Sequence, residues 1–197
     1  MRPPPGEVLH FSEDPTITAF APHVAETARQ RDAYVWAVDA ALAPAYWFPR
    51  QCPRVLAWAQ PSSTIQDGAR LLGPGTERVH AIECRWLRAM RTVELYAYRF
   101  AAEDFAPLGE PVSALVATEP VRPLAPPDRI GDLFHVHAEA GIELRVMTNL
   151  WPYCDAVVAS TLGFSAIRMH NAQPARAAEG AGLRRPHARA SDVDPSL

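Results

Sequence analysis

Tyr34-Val35-Trp36-Ala37-Val38-Asp39 opens the stretch that sets the architecture, and Tyr46-Trp47-Phe48-Pro49-Arg50-Gln51-Cys52-Pro53-Arg54-Val55-Leu56-Ala57-Trp58 closes it. The first run is rich in β-branched and aromatic side chains, which predicts a strand over residues 34–38. Asp39 is a candidate N-cap for a short helix through residues 40–46, in which Pro44 must lie early because proline has no N–H to give an inner turn. Pro49 and Pro53 forbid any continuation, so residues 50–54 form an ordered loop or extended segment before the next strand at 55–58.

The same punctuation recurs on both sides. Residues 7–12 alternate into Leu9-His10-Phe11-Ser12 and end at the turn signal Glu13-Asp14-Pro15, predicting a first strand with His10 and Ser12 on one face. Residues 13–32 are polar and irregular, with Phe20 and Pro22 as anchors. Residues 60–76 hold one possible helical turn, 78–84 a strand, 86–91 a short helix, 93–100 a strong strand and 114–118 another. A proline-rich linker covers 119–127, and Asp128 is a candidate cap for a helix through Ala140, ended by Gly141. A strand at 142–147, a helix at 150–162 and a strand at 164–169 complete the ordered part.

Short strands interrupted by irregular helices, without regular βαβ spacing, predict an α+β fold: one domain with a mixed or antiparallel sheet. Its expected limits are 7–171, after a flexible N-terminus at 1–6 and before a disordered tail at 172–197, which lacks apolar periodicity. A chain of 197 residues, 48% of them hydrophobic, can bury one substantial core.

All 19 basic residues are arginine, so Schiff-base and P-loop lysine chemistry is excluded. A net charge of −3 gives no general reason to bind nucleic acid or an anionic membrane. Three widely spaced cysteines form neither a disulfide framework nor a zinc-ribbon spacing, and no run approaches the roughly 18 apolar residues of a membrane span. A cytoplasmic protein is expected.

Chemistry concentrates in a few places. Tyr46 through Arg54 joins stacking surface to Arg50 and Arg54, whose guanidinium forks suit phosphate or carboxylate, on a backbone stiffened by proline. His10 can orient a hydroxyl or act as acid or base, with Ser12 beside it; equally, it can be a polar group that fixes a turn. Glu143 and Arg145 share a strand face as a carboxylate with an arginine beside it, or as a cross-strand ion pair. His135 and His137 fall two apart on a predicted helix and do not share a face, and His80 and Glu83 point oppositely on a strand, so no metal site is predicted. Only a convergence of His10, His80 and His170 in space is left open.

The segments at 9–15, 35–39, 46–54, 141–145 (Gly-Ile-Glu-Leu-Arg) and 164–168 (Phe-Ser-Ala-Ile-Arg) together resemble a bacterial family of unknown function, over roughly residues 8–172. A weaker likeness lies in the first strand ending His-x-Ser, followed by a strand, a short alanine-containing helix and an aromatic. It is similar to the opening of ADP-ribosyltransferase and RNA 2′-phosphotransferase folds. That resemblance implies that His10 contacts the ribose of a nicotinamide nucleotide and that Glu143 is the later catalytic glutamate, although the middle motif of those folds has no clear counterpart.

The expectation is therefore a group-transfer enzyme for a phosphate-bearing, nicotinamide-dinucleotide-like ligand, with NAD as substrate. His10 and Glu143 would be catalytic, and Ser12, Tyr46, Arg50, Arg54 and Arg145 would bind the ligand. Two other readings stand beside it: a non-catalytic small-molecule or anion-binding module, and a cofactor-independent acid/base tailoring enzyme of secondary metabolism.

Overall fold

The computed structural model describes residues 3–24, 32–109 and 114–175. In chain order the elements are β1 (Glu7–Ser12), β2 (Val35–Ala37), β3 (Arg54–Trp58), α1 (Ile65–Leu71), β4 (Arg78–Glu83), α2 (Leu87–Thr92), β5 (Tyr96–Ala101), β6 (Ala106–Leu108), β7 (Ala114–Ala117), β8 (Asp128–Arg129), α3 (Leu133–Glu139), β9 (Glu143–Met147), α4 (Trp151–Val158) and β10 (Gly163–Ile167). The fold is α+β, with four α-helices and ten strands in three small sheets among the described residues.

The described residues fall into two compact units, one made of residues 3–50 and 89–136, the other of 51–88 and 137–175. In unit 1, β5 lies between β1 and β8, and β7 between β2 and β6, all antiparallel. A bridge between Leu9 and Val38 ties β1 to the end of β2. The core gathers Val8, Val35, Ala37, Tyr98, Phe100, Phe105, Ala117 and Val121, with Phe20 packed against it. Phe20 holds its place twice, through a backbone bridge to Val121 and through edge contacts with Tyr98 and Phe100.

Unit 2 is one sheet in the order β10-β3-β4-β9, antiparallel except for the parallel pair β4 and β9. Alternation puts Val55, Ala57, Val79 and Ala81 on the face covered by Tyr153, Cys154 and Val157 of α4 and by Leu71 and Leu72 at the end of α1. The other face carries Leu56, Trp58, Arg78, His80 and Ile82. At Gly163 the sheet has no room for a side chain: a Cβ there would fall 2.3 Å from Trp58 Nε1, because the indole lies across its cross-strand partner.

Several expected elements begin or end elsewhere: the strand expected at 93–100 begins at Tyr96, and the helix expected at 150–162 ends at Val158. Asp39 does cap the chain after β2, accepting from the N–H groups of Ala41 and Leu42, but the helix expected there is a single 3-10 turn at Ala43–Tyr46 with Pro44 inside it. Asp128, expected to cap the next helix, lies in β8 and pairs with Ala97 of β5. Gly131, with φ 84°, breaks the chain after β8, and Asp132 caps α3 through bonds from the Phe134 and His135 N–H groups. Gly141, at φ 67°, ends that helix as expected, while the Ile142 N–H donates to the His137 carbonyl. Of the expected disordered tail, residues 176–197 lie outside the described residues, whereas 172–175 are described.

Candidate functional site

Four of the seven residues singled out from the sequence lie in unit 1: His10, Ser12, Tyr46 and Arg50. Val8, His10 and Ser12 share a face of β1 by alternation, opposite Leu9 and Phe11. His10 is buried beside Phe20, ring centroids 4.6 Å apart, and its Nδ1 donates to the Trp36 carbonyl oxygen at 2.8 Å. That bond fixes the tautomer and makes Nε2 the acceptor. Burial lowers the pKa to about 4, against the raising effect of the Trp36 carbonyl and with a smaller lowering from Arg50, so the ring is neutral at physiological pH.

The loop after β1 is fixed by its own polar groups. Ser12 Oγ accepts from the Asp14 N–H, and Tyr98 Oη donates to the Asp14 carbonyl at 2.6 Å while accepting from the Ile17 N–H. The Arg50 N–H donates to Glu13 Oε1 at 2.7 Å, which holds the proline loop to the end of β1 and leaves the Arg50 side chain exposed. Tyr46 is buried on the opposite side of β1, its ring stacked on Phe11 at 6.3 Å and 8°.

Arg54, Glu143 and Arg145 lie in unit 2. Arg54 is buried and donates to the Cys52 carbonyl at 3.0 Å. Arg145 donates to the Leu71 and Leu72 carbonyls at 2.8 and 3.1 Å, the last turn of α1, and its guanidinium stands 5.5 Å from the centre of the Tyr153 ring. Glu143 accepts from Arg145 at 2.7 Å and from the Thr76 hydroxyl at 3.1 Å, and the Arg145 bond first of all holds its carboxyl below the usual range.

Unit 2 also joins polar groups that the sequence reading weighed only as metal ligands. His80 and His137 are both fully enclosed, with His137 Nε2 3.1 Å from His80 Nδ1, and Arg78 Nε donates to His80 Nε2 at 3.1 Å. Since His80 Nε2 accepts, its Nδ1 must donate to His137. Burial, then His137, then the two arginines Arg78 and Arg54 push His80 well below its usual pKa. Arg78 also lies over Trp58 at 5.3 Å. The available signal was Arg78-x-His80 on one strand face. Glu83 is equally buried, at the end of β4, and bonds Arg85 Nε at 2.8 Å. Among the described residues no group of three or more His, Cys, Asp or Glu side chains is placed to hold a metal ion.

The segments on which these side chains sit, from β1 to the turn after β10, are the ones a family model matches over residues 9–172. The chain belongs to the family of unknown function DUF6886. Neither a curated protein nor a solved structure matches it. The DUF6886 match begins one residue before His10 and runs through both units, taking in the Arg78–His80–His137 chain and Glu83 as well as the proline loop. Among the described residues no helix is long and apolar enough to cross a membrane.

Proposed function

We propose that this protein binds a small phosphate-bearing, hydroxylated ligand, of the nicotinamide-dinucleotide kind, at the His10 end of β1. The observation that carries this reading is the fixed tautomer of His10: a neutral imidazole whose Nδ1 is committed to Trp36 offers Nε2 as an acceptor for a ligand hydroxyl. Arg50 supports it, being an exposed guanidinium within electrostatic reach of His10 on a loop already fastened through Glu13. A guanidinium there suits a phosphate.

Binding is favoured over acid/base catalysis. A general acid or base works best with a pKa near the working pH, and both His10 and Glu143 are shifted below it. A cytoplasmic location goes with either reading, since none of the three cysteines is in a disulfide.

Calorimetric titration with NAD, ADP-ribose and inorganic phosphate tests the proposal. Binding of the nucleotides is expected, weakened about tenfold or more by Arg50→Ala and by His10→Phe, the loss expected when a charged or hydrogen-bonding partner is removed. No binding at millimolar ligand would rule the reading out. Turnover of NAD by the bound protein would establish transfer instead of binding alone.

A further inference from the structure

Residues 171–174 cross the end of the unit 2 sheet and are held there almost entirely by their backbone. The Gln173 N–H donates to both oxygens of Glu83, at 2.9 and 3.2 Å. Trp151 Nε1 donates to the Gln173 carbonyl and Asn149 Nδ2 to the Pro174 carbonyl, each at 2.9 Å. Arg85 donates to the Asn171 carbonyl, and Asn171 Nδ2 reaches the Gln51 carbonyl and Oε1 at 2.9 and 3.0 Å. Side chains of the unit thus satisfy the main chain in turn, from the end of the 3-10 turn at Met169–Asn171 to the residues that follow it: a carboxylate for the N–H, an indole, an amide and a guanidinium for the carbonyls.

The segment brings little apolar surface of its own, with Asn171 and Ala172 only half-buried. Met169 packs on the unit 2 core, but beyond it Gln173 and Pro174 are exposed. A segment held chiefly by hydrogen bonds, each contributing on the order of 1 kcal/mol net, opens far more often than a core strand. Beneath it lies Glu83, whose residue is 0% exposed.

We propose that residues 171–174 form a releasable strap, which lies over Glu83 through the Gln173 N–H and thereby keeps its carboxylate from solvent. Lifting the strap leaves Glu83 and Arg85 as an accessible carboxylate–guanidinium pair. Closing it restores the enclosed form.

Two measurements on the full-length chain test this. Hydrogen exchange should show the Gln173 amide exchanging at least about a hundredfold faster than the amides of Val55–Ala57, as local opening below the global unfolding free energy requires. Gln173→Pro deletes the N–H that Glu83 accepts; Ala172 already has the extended backbone (φ −69°, ψ 159°) that a residue before proline adopts, so the change leaves the rest of the turn intact. In that variant, carbodiimide labelling of Glu83 read by mass spectrometry should rise about tenfold or more over wild type, while exchange in β3 stays unchanged. A Gln173 amide that exchanges only as slowly as β3, or a Glu83 that stays unlabelled in the folded variant, would overturn the proposal.

Discussion

Arg145 shows how one side chain can take a structural position that its sequence neighbourhood does not announce. It closes the last turn of α1 by donating to the carbonyls of Leu71 and Leu72, which lie 74 and 73 residues away in sequence, and it packs on Tyr153, whose hydroxyl also donates to Leu71. Arg145→Ala should therefore cost about 1 to 3 kcal/mol, because two partly buried carbonyls lose a charged donor. Glu143→Gln removes only an exposed ion pair and should cost less than about 1 kcal/mol. Urea unfolding of the two variants measures the difference, and equal losses would show that Arg145 acts through Glu143 instead of through α1. The pairing of Glu143 with Arg145 was legible from strand alternation. The end of α1 was not, since nothing local states which loop a guanidinium will meet.

Helices and strands were largely legible wherever periodicity and a breaker agreed, as in β1, β3, β4 and β9. The start of α3 was misread because two aspartates lie four residues apart and either suits a cap; tertiary pairing with β5 claims Asp128 for β8, and Gly131 resets the backbone before Asp132. Asp132→Ala should cost about 1 kcal/mol through the lost cap, and Asp128→Ala a few tenths at most. Thermal denaturation that ranked them the other way would place the helix start at Asp128. The sheet of unit 2 offers a second check at element scale. Gly163→Ala pushes a methyl into the Trp58 indole and should cost about 1 to 3 kcal/mol, with much of that recovered in a Trp58→Leu background; additive losses would mean that the indole is not what Gly163 accommodates.

At the scale of the whole molecule, both units enclose histidines that must stay neutral. His10 in unit 1 has a folded pKa of about 4, lowered chiefly by burial, and His80 in unit 2 lies well below its usual value for the same reason. The unfolded chain binds a proton at each near pH 6.5, so the folded form holds fewer protons below that pH, and the stability from keeping these rings neutral is complete above about 6.5 and lost as pH falls toward the folded values. For His10 alone, the loss between about pH 7.5 and about pH 5 is on the order of 2 kcal/mol. His80 adds to it in the same direction. Carboxylates held low by their partners, Asp67 by the Thr161 N–H first and Glu143 by Arg145 first, stay ionised through this window and contribute to its slope only at lower pH. Urea unfolding at the two pH values should show the fall, and His10→Phe should remove the unit 1 share while leaving the His80 share in place. Stability that is flat from about pH 7.5 to about pH 5 would mean that neither imidazole has its pKa lowered by its surroundings. The Nε2 acceptor on which the ligand proposal rests would then be protonated in a growing share of molecules as pH falls through about 6.5, so this titration bears on function as well as on folding.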